Sequence, residues 1–326
     1  MTTICVDAMG GDEEPGVVCQ GIASALAADD DLTVLVAGTD EVVTPFCERN
    51  DRAQALTCTE VIGMGEHPTQ AVRSKRDSSI VRGCKAVREG AAEAFFSAGS
   101  TGAILAAGTL GIGRIKGIGR PALATALPGL DGHETVVTDI GANADCTPEQ
   151  IVQFARMGAA YATLALGCDA PKVGLLSNGS EETKGNAATL GYHEALAAKL
   201  PSFVGNAEGS DLLLGSFDVI VGDGFTVNCA IKAIEGCAKY ISHELKVAAH
   251  ASVKVGLGGM LVKPAIKGVA ASLSGDVYGG ANLLGLKAPV LVGHGATSVE
   301  AIRNGTLAAA TAVRGDLVGK LTEACA

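Results

Sequence analysis

Short apolar runs that stop on glycine and a polar cluster recur along this chain, and that recurrence limits its fold more than any other feature. Ile4-Cys5-Val6 runs into Asp7-Ala8-Met9-Gly10-Gly11-Asp12, and Ala94-Phe95-Phe96 into Ser97-Ala98-Gly99-Ser100-Thr101-Gly102. Thr135-Val136-Val137-Thr138 meets Asp139-Ile140-Gly141-Ala142-Asn143, and Val173-Gly174-Leu175-Leu176 is followed by the polar loop that carries Lys184-Gly185-Asn186. Phe203-Val204-Gly205-Asn206 and Val219-Ile220-Val221-Gly222-Asp223-Gly224, which leads on to Asn228, repeat the pattern. Helical spacing follows several of these runs: Val17, Ile22 and Leu26 after the first, and Ile151, Phe154, Met157, Tyr161 and Leu164 after Pro148. Strands alternating with helices predict an α/β protein built on a mostly parallel sheet. Open α/β sheets build their sites at the carboxyl ends of strands. The repeated ending therefore predicts one crowded polar edge, an enzyme, and a polar anionic ligand.

The run Ser97–Ala107 reads as strand, tight glycine turn and buried helix. That geometry leaves backbone N–H groups at the positive end of a helix dipole, where an anion or a developing oxyanion is stabilised. A tight turn that needs glycine only for its backbone angles reads the same way locally. Thr33–Thr39 predicts a second parallel strand, and another is expected around Glu60-Val61-Ile62. Asp7 and Asp12, near an anion site, are read either as Mg²⁺ ligands or, more commonly for such residues, as helix caps.

Charge narrows the partners. The net charge of −10 and the absence of Trp argue against a nucleic-acid face, which needs a basic stripe and stacking aromatics. Local basic runs remain for an acidic partner: Arg73, Lys75 and Arg76, then Arg114 and Lys116 followed by Arg120. Ten cysteines form no CxxC pair, so they are read as reduced thiols of a cytoplasmic protein, with no metal site expected. Residues 94–113 carry no charge, but five glycines make them a poor membrane span. Residues 245–275 are expected to form a protruding helical hairpin. Its broken middle, with Leu257, Met260, Leu261 and Val262 flanked by Lys254, Lys263 and Lys267, suits a membrane surface, a partner or a subunit interface.

With these pieces in order, the chain resembles the PlsX family, the acyl-acyl carrier protein:phosphate acyltransferases of bacterial phospholipid synthesis. The resemblance rests on Asp7–Asp12, Lys75–Ile80, Ser97–Ala107, Arg120–Leu127, Asp139–Asp145, Lys184–Asn186, Gly205–Gly209, Asp223–Asn228, Tyr278–Gly285 and His294–Gly295, which span the chain in the family's order. Ser100 stands where the family is expected to carry Asn, and Gly119 where it is expected to carry an acidic residue. The resemblance implies a three-layer α/β/α fold related to isocitrate and isopropylmalate dehydrogenases and to phosphotransacetylase. It also implies a single catalytic domain of two intertwined subdomains over residues 1–326, a homodimer and peripheral association with membranes.

The implied reaction moves a fatty acyl group from acyl carrier protein to inorganic phosphate, with no cofactor, and feeds a glycerol-3-phosphate acyltransferase. Lys184 would hold the phosphate as a charge, and Asn228 would donate to the oxyanion, a contribution of roughly 3–4 kcal/mol to the barrier. Asp7, Gly10, Gly11, Ser97, Gly99, Ser100, Thr101, Gly102, Asp139, Asn143, Asn186, Asp223 and His294 are the expected substrate-binding residues. Arg73, Lys75, Arg76, Arg114 and Lys116 are the expected carrier-protein surface. Cys229, beside Asn228, leaves a covalent acyl-enzyme as the alternative to direct transfer. A short-chain phosphotransacetylase acting on acyl-coenzyme A and a membrane-associated carrier-protein scaffold are the competing readings.

Overall fold

The computed structural model describes residues 1–249, 258–259, 262, 266, 268, 279–293 and 298–325. Its strands are β1 (Thr2–Asp7), β2 (Leu32–Gly38), β3 (Ala53–Thr57), β4 (Ala94–Ser97), β5 (Ala122–Pro128), β6 (Glu134–Thr138), β7 (Val173–Leu176), β8 (Phe203–Ala207), β9 (Val219–Val221), β10 (Ala281–Leu284) and β11 (Val290–Val292). They form one eleven-stranded sheet in the order β3-β2-β1-β4-β11-β10-β5-β6-β9-β7-β8.

Successive strand residues face opposite sides, and helices cover both. Phe95 points to the side of α4 (Ser79–Arg88) and α5 (Thr101–Ala107), packing with Ile80, Ile104, Leu123 and Val290. Phe96 points to the other side, with Ile22 of α1 (Pro15–Ala28) and Ile302 of α9 (Val299–Arg314). In the second half of the sheet, Val136 and Leu175 lie under α6 (Pro148–Leu166) and α7 (Ala187–Lys199), with α10 (Leu317–Ala324) beside them. Val137 and Ile220 meet Val227 of α8 (Gly224–Ala249) on the face shared with α4 and α5. Two short helices, α2 (Asp40–Cys47) and α3 (Pro68–Ser74), complete the α-helices among the described residues. The result is three layers around a mixed, mostly parallel sheet.

Two expectations are corrected. The strand expected at Glu60–Ile62 lies earlier, at β3, where Ala53–Thr57 reaches parallel register with Val34–Gly38. Glu60 makes only an isolated bridge to Ser78, while its carboxylate accepts from the Asp77 N–H at 2.9 Å. The second correction concerns the polar edge. β10 pairs antiparallel with both β11 and β5, and β5 pairs antiparallel with β6. Three reversals in a row turn β6, β9, β7 and β8 against β1, β2, β3, β4 and β11. The carboxyl ends therefore form two polar edges on opposite sides of the sheet instead of one.

The expected hairpin over 245–275 lies mostly outside the described residues, as do Leu257, Met260, Leu261 and His294; Val262 is exposed. Residues 245–249 are the end of α8. Among the described residues no helix is long and apolar enough to cross a membrane.

Candidate active site

The first edge gathers around Asp7, at the end of β1. Its carboxylate is buried and accepts from the Ser97 hydroxyl at 2.7 Å and from the Met9 N–H at 2.9 Å. The Ser97 oxygen in turn accepts from the Gly99 N–H at 3.0 Å. Burial pushes the Asp7 carboxyl up, and hydrogen bonds from Ser97, Ser79, Met9 and Gly10 restrain the rise. Gly10 must lack a side chain, because a Cβ there would lie 2.6 Å from the Gly99 nitrogen. This cluster fixes the turn into α5. Ser100 is buried at the start of that helix and Thr101 is exposed. Gly102 backs onto Pro68 of α3, and Gly11 takes φ 110°.

The second edge is built on Asp139, which is fully buried. One of its oxygens accepts from the N–H groups of Leu123 at 2.9 Å and Ala142 at 3.0 Å. The other accepts from the Asn143 N–H at 2.7 Å and side-chain amide at 2.8 Å. Burial pushes this carboxyl up as well, against those hydrogen bonds. Asp139 is thus the template around which the loop 139–143 folds. The Asn143 carbonyl receives the Gly224 N–H at 2.7 Å, which docks the loop on the start of α8. Gly141 faces the Asn228 side chain one turn further along that helix. Asp223 caps α8 through the Thr226 N–H at 2.8 Å and hydroxyl at 2.9 Å.

Lys184 belongs to the same edge, in the loop after β7. Its stem lies over Gly179, its side chain is exposed, and no carboxylate lies within 4 Å of its ammonium among the described residues. Asn186 caps α7, accepting from the Thr189 N–H at 2.9 Å. Asn228 is exposed on α8.

The expected residues therefore fall into two groups. Asp7, Gly10, Gly11, Ser97, Gly99, Ser100, Thr101 and Gly102 occupy the first edge, and Asp139, Asn143, Lys184, Asn186, Asp223 and Asn228 the second. Several polar groups already have partners within the chain: Asp7, Asp139 and Asn143 in their own buried loops, Asn186 and Asp223 at helix starts nearer the surface. Lys184 and Asn228 keep their polar heads on the surface.

Arg120 was read from the sequence as part of a basic run and as the start of the matching segment Arg120–Leu127, without a role at the site, yet it stands at the second edge. Its guanidinium donates to the Asn143 side-chain carbonyl at 3.5 Å. Its approach is fixed by Gln153 of α6, which takes the Gly119 N–H at 2.9 Å and donates to the Gly117 carbonyl at 2.9 Å, and by Arg114, which donates to the Gly119 carbonyl. The missing signal was β5: Arg120 lies two residues before that strand, which the sequence pattern did not reveal. Cys146, below the same loop, has its thiol pushed up to about 12 by burial and by the nearby Asp139 carboxylate. It is an inert thiol at neutral pH. Among the described residues no group of three or more His, Cys, Asp or Glu could hold a metal ion.

Of the expected carrier-protein surface, Lys75 is engaged with Glu66 at 2.6 Å and the Val61 carbonyl at 2.8 Å. Arg73, Arg76 and Lys116 are exposed.

Residues 2–320 match the family described as fatty acid synthesis protein. The chain belongs to this family. The phosphate acyltransferase of Levilactobacillus brevis is 47% identical over 309 residues, covering 92% of this chain and 89% of its own. That of Limosilactobacillus reuteri is 43% identical over 326 residues, covering 98% and 95%. The chain is accordingly an acyltransferase of the fatty acid synthesis family. Its fold is also that of a phosphotransacetylase from Streptococcus pyogenes, with TM-score 0.63 at 16% identity over 96% of this chain and 94% of that one. A branched-chain phosphotransacylase from Enterococcus faecalis gives 0.61 at 15% identity over 96% and 99%.

Proposed function

We propose that this acyltransferase moves a long-chain fatty acyl group from the thioester of acyl carrier protein to inorganic phosphate. A phosphate oxygen attacks the thioester carbonyl carbon, the new C–O bond forms, and the C–S bond breaks. The products are acyl phosphate and the free carrier-protein thiol, which takes up a proton. The acyl phosphate then serves acylation of glycerol 3-phosphate in phospholipid synthesis. Phosphate is already nucleophilic at neutral pH and a thiolate leaves readily, so positioning and charge carry the reaction without a cofactor.

The observation that carries this reading is the second edge, where cationic and amide heads without a carboxylate partner stand exposed above a loop whose own carboxylate is fully hydrogen-bonded. Lys184 and Arg120 offer charge to a phosphate dianion, and Asn228 offers a neutral donor to the oxyanion. Cys146 is inert and offers no acyl-enzyme, while Cys229, exposed on α8 beside Asn228, would carry the covalent alternative to the direct transfer proposed. A homodimer and peripheral membrane contact belong to the same proposal. α8 leaves Phe225, Tyr240, Ile241 and Val247 more than half exposed, and Val262 beyond it is 50% exposed, an unusual apolar surface for an isolated chain.

The test is release of free carrier-protein thiol from palmitoyl-acyl carrier protein, with and without phosphate, in the wild type and in Lys184→Ala. Phosphate-dependent release that is lost in the variant supports the reading. Release that ignores phosphate makes the protein a thioesterase, and turnover of short acyl-coenzyme A alone makes it a phosphotransacetylase. Phosphate-dependent release that survives Lys184→Ala removes Lys184 from the site.

A further inference from the structure

An open cavity of about 430 Å³ lies between α4 and the outer strands β2 and β3. Leu35, Leu56, Ala86 and Ala91 give it apolar walls, and Arg76, Arg82 and Lys85 stand around them with Asp77 and Glu89. The cations belong to a local excess: residues 73–88 hold six Lys and Arg against the single carboxylate of Asp77, in a chain of net charge −10.

The rim is partly fixed and partly free. Asp77 holds Arg82 and also accepts from the Thr59 hydroxyl at 2.6 Å, so this side of the cavity is rigid. Arg76 pairs with no carboxylate among the described residues and donates to the Arg73 carbonyl at 3.3 Å. Lys85 stands 3.8 Å from Glu89, with both side chains more than half exposed. Such a pair is worth little in water and exchanges readily for another carboxylate.

We propose that this cavity is the docking site of the acidic carrier domain, an inference that rests on the function proposed above. Carboxylates of an acidic helix meet Arg76, Arg82 and Lys85, while one apolar side chain of that helix enters over Ala86 and Ala91. An apolar anchor ringed by complementary charge is the arrangement that gives both fast encounter and specificity. The other basic run is less suited, because the Arg114 guanidinium is held on the Gly119 carbonyl.

The experiment compares wild type with Arg76→Glu/Lys85→Glu and, as a steric block without charge change, Ala91→Trp. Palmitoyl-acyl carrier protein and palmitoyl-pantetheine serve as alternative acyl donors. Both variants are expected to raise KM for the carrier substrate by at least about tenfold, with the charge variant also flattening its salt dependence. Turnover of palmitoyl-pantetheine, too small to span the cavity, stays at the wild-type level. Unchanged KM for the carrier substrate overturns the proposal, as does an equal loss with both donors. A larger effect from Arg114→Glu/Lys116→Glu, or loss of binding to anionic phosphatidylglycerol vesicles with KM unaltered, overturns it in favour of another surface or a lipid role. If the wild type does not use the carrier substrate at all, the proposed function fails and this inference falls with it. If the wild type does and both variants match it, only the docking site is wrong.

Discussion

The Ser97 hydroxyl donates to Asp7 at 2.7 Å while its oxygen accepts from the Gly99 N–H at 3.0 Å, so one side chain joins the ends of β1 and β4 to the turn that starts α5. Ser97→Ala takes a donor from a buried carboxylate and leaves a buried N–H unpaired, at a cost of about 1–3 kcal/mol. The cost depends on pH in a definite direction. Burial raises the Asp7 carboxyl in the folded state, so the folded protein holds this proton more tightly than the unfolded chain, and stability falls as pH rises through the folded value. Removing Ser97 raises it further. Denaturant titration should therefore show the Ser97→Ala deficit growing from about pH 4 towards neutrality. A deficit that is constant over that range would contradict the pairing.

The second edge depends on a close backbone approach. A Cβ on Gly224 would stand 2.7 Å from the Asn143 carbonyl oxygen and 3.0 Å from the Gly141 Cα. Gly224→Ala must push the loop 139–143 off the start of α8, at a cost of about 1–3 kcal/mol for the overpacking. Asn228 and Arg120 flank that loop, so kcat/KM is expected to fall far more than the folded fraction. Steady-state kinetics beside a melting curve separates the two effects. A variant with lowered Tm and full activity would show that the loop does not position the site.

Eight of the eleven strands, the run Pro289–Val292 among them, were legible because they combine an apolar run with a glycine-polar ending; Lys172–Leu176 and Val219–Val221 are typical. β5 and β10 were not. Ala122–Pro128 contains three alanines and a terminal proline, a poor strand by intrinsic preference, and Ala281–Leu284 is four residues long. Both form through pairing in the middle of the sheet, a tertiary effect that sequence periodicity does not carry. These strands carry the reversals, so the single polar edge expected from the sequence became two. The residue types at the strand ends were readable; which ends share an edge was not. Helix caps show the same limit: Asn186 and Asp223 look alike in sequence as binders or caps, and only their partners, Thr189 and Thr226, decide that both serve as caps.

Asp77 gives the clearest acid-sensitive contact. The Thr59 hydroxyl and then Arg82 hold its carboxyl down to about 2, against an ordinary value near 3.8. A depressed folded value means that the contact stabilises above the ordinary value and is lost as pH falls from there towards about 2. Asp77→Asn should thus lower Tm at pH 7, with the gap to wild type closing between about pH 4 and pH 2. Differential scanning calorimetry across that range reads it directly. A gap that stays open at the acid end would mean that the side chain acts through packing instead of charge. Thr59→Val should show the same pH signature with a smaller gap, since it leaves the Arg82 contact in place.

Arg120 provides the sharpest check on the second edge. Asp139 and Asp223 already have their donors, so neither needs this guanidinium, and no carboxylate lies within 4 Å of it among the described residues. The backbone just before it, at Gly117 and Gly119, is nevertheless clamped by Gln153 and Arg114. A cation held in place by one long bond to the Asn143 amide and without a carboxylate partner fits an anionic substrate, and a guanidinium fork matches two phosphate oxygens better than an ammonium does. Arg120→Ala is expected to raise KM for phosphate by about tenfold or more, the loss of one charge-assisted contact of about 1.5–3 kcal/mol. Arg120→Lys should recover part of that loss, because it keeps the charge and loses the fork. KM for the acyl donor should stay near wild type. If instead the acyl donor alone is affected, Arg120 lies along the path of the pantetheine arm, and Lys184 is left as the cation of the phosphate site.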